Sequence, residues 1–260
     1  MNSVSVRALL VRGMLAGLVA GALALVVAYV LGEPRIDSAI AFEESHAAHG
    51  HEHGEELVSR TLQSTGGLAT GLLVVGVALG GIGALAFCVA LGRVGRFGPR
   101  ATAALVAVGA LVSVYVVPFL KYPANPPAVG DPDTIGRRTT LYFLMIALSV
   151  LLTVAAVLLG KRLAPRLGTW NATVAAGAAL VAAVTLAYVF LPSVDEVPKD
   201  FPATLLWQFR LAALAVQLTL WTVFGLVFGY LAERVLRPAV APARPASAAH
   251  QADRDLSSTA

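Results

Sequence analysis

Six long apolar runs leave this chain few ways to fold. They cover residues 8–31, 66–91, 101–120, 139–160, 169–191 and 203–231. A helix rises about 1.5 Å per residue, so about 20 residues cross a hydrocarbon core of about 30 Å, and each run is long enough. No Asp, Glu, His or Lys lies between the ends of any run. A single soluble core cannot absorb that much apolar surface, so lipid is the natural solvent and each run reads as a membrane helix. Composition agrees, with charged residues at 13% and mean hydropathy at +0.76; a soluble domain carries about 25% charge. The expected fold is an all-α integral membrane helical bundle of about six transmembrane helices. The first run is longer than the roughly 7–15 apolar residues of a signal peptide, so it is read as a retained span.

Six crossings put both termini on one side, and charge says which. The amino terminus, residues 92–100, residues 161–168 and the tail hold 12 Lys/Arg and 3 Asp/Glu, whereas the other three loops and their flanks hold 7 and 12. Lys and Arg accumulate on the cytoplasmic side, so both termini are expected to be cytoplasmic. Residues 1–233 then form the transmembrane domain, with a long outer loop at 32–65. Residues 234–260, rich in Pro, Ala and Ser, are expected to form a disordered cytoplasmic tail. Gly13, Gly17 and Gly21 recur every fourth residue, as do Gly67 and Gly71, Gly76 and Gly80, and Gly225 and Gly229. That spacing lines one helix face and lets backbones approach closely.

Several functions are excluded. The basic residues are scattered in short clusters between apolar runs, which argues against a nucleic-acid partner. One cysteine, Cys88, permits neither an intrachain disulfide nor a cysteine-based zinc motif. No Walker-type phosphate loop is present.

The hydrophilic exception is the stretch from Glu43 to Glu56, where four of the five histidines stand among five carboxylates. His46, His49, His51 and His53, with Glu52 and Glu55, are candidate metal ligands. Neutral imidazole suits zinc, copper, nickel and, by its place in that series, cobalt, while carboxylates add charge and oxygen donors. A flexible loop lacks the rigid geometry that chooses among these metals. A second candidate lies in the proline-rich loop after the third run. Its prolines restrict φ, and Pro118 is expected to kink or cap the preceding helix. Such a loop can hold Asn125, Asp131 and Asp133 in place as an outer vestibule, or its aspartates can simply pair with Arg137, Arg138 or Arg210. The third candidate is the last span, where Arg210 and Gln217 are seven residues apart and share a helix face. Polar residues at membrane depth face a bundle interior, a cavity or a partner, although Arg210 is near enough to the interface to snorkel.

The order of these features resembles one family. A glycine-rich first span is followed by a His-rich outer loop, then KYPANPPAVGDPDTIGRRT at residues 121–139 and FPATLLWQFRLAALAVQLTLW at residues 201–221. Over residues 7 to about 235 the chain resembles the CbtA family of cobalt transporters. The resemblance implies cobalt transport linked to cobalamin synthesis, a bacterial inner-membrane location, and a small single-span His-containing partner, CbtB. The residues alone point only to a divalent transition metal, with nickel or zinc as alternatives to cobalt. They imply no permanently bound cofactor, since the metal is the transported or bound ion. Besides the lipid bilayer and CbtB, a homo-oligomer stays open. A non-transporting membrane scaffold or metal-sensing partner is the rival reading. An enzyme is disfavoured, because no nucleophile–base pair or cofactor motif appears.

Overall fold

The structure, a computed structural model, describes residues 3–47, 62–127, 129–130 and 133–236, and among them there is no strand. Helix α1 (Ser3–Val27) runs through a π-helical turn (Ala28–Gly32) into α2 (Glu33–Ala47). A second π turn (Gln63–Gly67) opens α3 (Leu68–Ala90). Helix α4 (Pro99–Ala110) continues through a third π turn (Leu111–Val116) into α5 (Val117–Lys121). Helices α6 (Ile135–Phe190) and α7 (Ala203–Leu236) complete the order.

Five helices are long and apolar enough to cross a membrane, and one of them crosses twice. Gly168 interrupts the 56-residue α6 at φ 76°, ψ 161°. A Cβ added to Gly160 would lie 3.3 Å from Ala176 Cβ; in a straight helix these positions would be about 24 Å apart. The two arms of α6 therefore fold back on each other. The loop expected at 161–168 is helical as far as this break, because a single left-handed glycine suffices to reverse the chain.

The crossings alternate in direction. Gly13 and Gly21 of α1 stand against Gly80 and Leu72 of α3, while Arg100 and Ala107 of α4 stand against Gly229 and Gly225 of α7. One end of the bundle carries Arg93, Arg96, Arg100, Lys161, Arg162 and Arg166, and we call it the basic end. The other carries Glu33, Asp37, Asp133, Asp195 and Glu196, and is the acidic end.

The tightest contact is α1 on α3, backbone against backbone. A Cβ on Gly21 would lie 2.7 Å from Leu72 O, and one on Gly76 would lie 2.6 Å from Gly17 O. Lipid tails are as apolar as leucine, so close van der Waals approach must supply much of the association. Helix α7 then packs its aromatic face into this pair. Phe224 seats over Gly83, where a Cβ would lie 2.6 Å from its ring. Phe224 stacks on Phe228 at 5.2 Å, and Phe228 meets Phe87 edge-on at 5.1 Å. The α6 hairpin stands to one side, packed against the third π turn and α5. There the Ser149 hydroxyl donates to Ser113 O.

The outer loop expected over 32–65 is shorter than the sequence suggested, since α2 carries the first helix on to Ala47. Pro34 has no N–H to return to Val30, yet the helix continues. The turn before it has shifted register, with the Glu33 N–H bonded to Ala28 O five residues back. The kink expected at Pro118 takes the same form, with the Val117 N–H bonded to Val112 O. In both places a π turn absorbs the bond that proline cannot make. At the other terminus α7 runs to Leu236, beyond the expected end of the domain at 233, held by the Arg100–Glu233 ion pair at 2.6 Å. Residues 237–260 lie outside the described residues.

Gly76→Val should cost about 2–3 kcal/mol through overpacking against Gly17 O. Gly177→Ala, with nothing within 4 Å of its added Cβ, should change stability by less than about 1 kcal/mol and in the stabilising direction. Unfolding in mixed micelles followed by circular dichroism measures both.

Candidate functional site

At the acidic end, α2 is docked onto two loops by a small apolar core. Ala39 of α2, Val129 of the proline-rich loop and Phe201 before α7 are buried together, with Phe42, Val197, Leu205 and Leu206 packed around them. Phe42 meets Phe201 edge-on at 5.1 Å. This cluster fixes α2 over the bundle and sets the proline-rich loop beside residues 192–202.

Beneath it lies a cavity of 270 Å³ whose polar lining includes Tyr122, Asn125, Arg138, Asp195, Glu196 and Arg210. Glu196 is the centre of its bonding. Its carboxylate accepts from Arg138 Nη1 at 2.9 Å and from the Thr134 hydroxyl at 2.5 Å, and its side chain is only 2% exposed. Arg210 reaches up from α7 and donates to Ala124 O at 3.3 Å and Asn125 Oδ1 at 3.1 Å. The Tyr122 hydroxyl donates to Pro192 O at 2.8 Å. Burial pushes the Tyr122 phenol above its usual range, while Arg137 pulls it the other way. Lys121 Nζ donates to Tyr188 O at 2.9 Å, tying α5 to the second arm of α6. A second cavity, of 380 Å³, shares Tyr122, Pro123 and Arg138 with the first and continues past Tyr115 and Tyr142. Further along these helices Ser149 donates to Ser113 O, while Thr153 and Ser113 return their hydroxyls to Ser149 O and Gly109 O.

The sequence-derived candidates fare unequally. Asn125 and Arg210 are brought together, and Arg210 bonds the loop, where the sequence left snorkelling open. Gln217 is half-buried one turn before Trp221 and has no hydrogen bond among the described residues. Asp133 lies in the turn that leads into α6, on the rim beside Thr134. Asp131 falls outside the described residues. So do His49, His51, His53, Glu52 and Glu55, while His46 is described only as a backbone position in α2. Sequence reasoning did not single out Glu196, and treated Arg138 only as a partner for the loop aspartates. The available signal was a carboxylate in the third acidic loop facing an arginine at the start of α6, but 58 residues separate them.

Chemically, the vestibule is built of oxygen acceptors and guanidinium groups. Two arginines balance Asp195 and Glu196. Among the described residues no group of three or more His, Cys, Asp or Glu could close around a metal ion.

No curated protein and no solved structure matches the chain. A family model described as "Probable cobalt transporter subunit (CbtA)" matches residues 6–233.

Glu196→Gln removes the charge that Arg138 faces and should cost about 1–3 kcal/mol, less than a fully buried pair because Arg138 is partly exposed. Replacing both, Glu196→Leu with Arg138→Met, should cost less than Glu196→Gln alone. Unfolding midpoints of the two variants decide this.

Proposed function

The chain belongs to the CbtA family, and from that premise we propose that it admits a divalent transition-metal cation, cobalt first, across the bacterial inner membrane, with its acidic end facing outward. The family is described as a probable cobalt transporter subunit. On this reading the stretch from Glu43 to Glu56 collects the ion, with His46, His49, His51, His53, Glu52 and Glu55 as exchanging ligands. The vestibule of Asn125, Asp195, Glu196 and Arg210, rimmed by Asp133 and with Asp131 in the same loop, receives it. The polar line past Tyr115 and Tyr142 conducts it inward. Gln217 is the deepest amide available to it on α7. A small single-span His-containing protein of the CbtB kind is the expected partner, and supply of cobalt for cobalamin synthesis the expected purpose.

One observation carries the reading. The Phe42–Phe201 contact holds α2 over the vestibule, so the His/Glu stretch begins at its mouth. Driving force needs no nucleotide. A negative interior contributes about 2.3 kcal/mol per charge for each 100 mV, acting twice on a divalent ion.

The test is uptake of radioactive cobalt by cells expressing this chain, alone and with its neighbouring small membrane protein. Absence of uptake in both cases would sink the proposal. Changing His46, His49, His51 and His53 to Ala should raise the half-saturating cobalt concentration more than it lowers the maximal rate. Loss of flux at saturating metal would instead make the stretch part of the path. Glu196→Gln should do the reverse, lowering the maximal rate with little change in half-saturation. Imidazole must be neutral to bind metal, so apparent affinity is full above about pH 6.5 and falls as pH drops below it. The fall should disappear in the four-histidine variant.

A further inference from the structure

The two arms of α6 touch where Gly160 meets Ala176. Beyond that contact, toward the acidic end, they leave a cavity of 440 Å³. Every residue lining it belongs to α6, and Leu158 on its edge is 54% exposed, so the cavity is a groove open to lipid rather than a space inside the bundle. Leu152, Leu159, Ala179 and Ala183 make its walls apolar, and Arg162 closes the end nearer the basic end.

Arg162 makes no hydrogen bond or ion pair among the described residues. In a helix each Cα–Cβ bond tilts toward the amino terminus, which for this arm lies at the acidic end. The side chain therefore starts back along the groove, not outward toward the turn at Gly168. Its charge is also unbalanced. Lys161 and Arg166 stand exposed on either side of it in sequence. Among the described residues the basic end holds one carboxylate, Glu233, and Arg100 takes it at 2.6 Å.

Length narrows the occupant. Leu152 and Arg162 are about 15 Å apart along the helix, half of a hydrocarbon core of about 30 Å. The groove is thus as long as one leaflet is deep, apolar along its length and cationic at the end where that leaflet's headgroups lie. A second copy of the chain fits poorly. Packed about an axis along the bilayer normal, it would bring its own Arg162 to the same depth, like charge against like.

We propose that this groove binds an anionic phospholipid of the leaflet at the basic end, one acyl chain lying between the arms of α6 and the phosphate accepting from the Arg162 guanidinium. Arginine holds phosphate through two parallel N–H bonds, and basic pockets between membrane helices take anionic headgroups. Lys161 and Arg166 add the attraction that favours a net negative headgroup over a zwitterionic one. Which ion the protein carries does not enter, because the groove lies on the α6 hairpin and shares no residue with the vestibule.

The experiment titrates the full chain in detergent micelles with dioleoyl phosphatidylglycerol or dioleoyl phosphatidylcholine and counts bound lipid by native mass spectrometry. The first phosphatidylglycerol should bind about tenfold more tightly than the first phosphatidylcholine. Arg162→Gln should remove most of that preference, weakening phosphatidylglycerol about tenfold, as loss of a charge-assisted pair does. Lys161→Gln, outside the cavity, should weaken it only about twofold, the worth of an exposed charge. Ala183→Leu fills the groove and leaves every charge in place, so it should weaken both lipids. Arg162 is exposed, so its replacement leaves the fold intact, which circular dichroism checks. Equal affinity for the two lipids, equal losses from Lys161→Gln and Arg162→Gln, or binding indifferent to Ala183→Leu would each overturn the proposal. So would disulfide-linked dimers through Leu158→Cys, in a Cys88→Ala background in phosphatidylglycerol liposomes, because a second copy would then cover the groove.

Discussion

The contact between α1 and α3 sets the geometry of everything else. In water, burial of apolar surface would hold a bundle together; in lipid that force between helices is absent, and shape must replace it. Gly13, Gly17 and Gly21 against Gly80, Gly76 and Leu72 provide that shape, with carbonyl oxygens where side chains would otherwise be. The contact orients α1, and α1 passes without a break into α2. The placement of α2 over the acidic end is therefore fixed from two directions, by the glycine contact below and by Phe42 on Phe201 above. Gly83 extends the same logic to α7, because the space it leaves is where Phe224 sits. Arg210, at the acidic end of that helix, is carried to the proline-rich loop as a result.

Two prolines within long helices, Pro34 and Pro118, are preceded by a π turn, and both turns serve the acidic end. The first lets one helix carry the chain from the basic end to the acidic end, where α2 docks. The second keeps α4 and α5 as one crossing while shifting the register around Ser113. The Ser113 carbonyl accepts from Ser149, which is how the otherwise loosely attached α6 hairpin is stapled to the bundle. π turns within α-helices often accompany functional sites, and the one at 111–116 carries Tyr115 into the lining of the second cavity.

The crossings and their directions were legible from the sequence because lipid imposes a simple rule on length and polarity, and the alternation of basic and acidic connections adds the order. The glycine contact was legible from its four-residue spacing. Helix α2 was obscured by its polar composition, although Ile36, Ala39 and Ile40 recur at helical spacing. The reversal at Gly168 was placed correctly, but its basic residues were assigned to a loop when they extend a helix. The vestibule was half-legible. Asn125 and Arg210 stood out as polar residues in conspicuous settings, whereas Glu196 looked like one solvated charge among several. Its pairing with Arg138 and Thr134 joins two segments 58 and 62 residues apart, and no local pattern encodes such a meeting.

The bonding of Glu196 bears on how a cation would pass. Left unpaired, a carboxylate this buried would hold a divalent ion tightly enough to stop it. With Arg138 and Thr134 already on it, the ion gains only the difference between its own attraction and theirs. Arg210 is engaged by neutral oxygens, Ala124 O and Asn125 Oδ1, and with Arg138 it balances the two carboxylates of the same cavity. Conduction needs binding strong enough to enter and weak enough to leave. On the proposed reading, the His/Glu stretch supplies attraction where water is plentiful, and the paired vestibule prevents that attraction from becoming a trap. On the same reading, spans without Asp, Glu, His or Lys in their interiors would leave hydroxyls and carbonyls to pass an ion along without holding it.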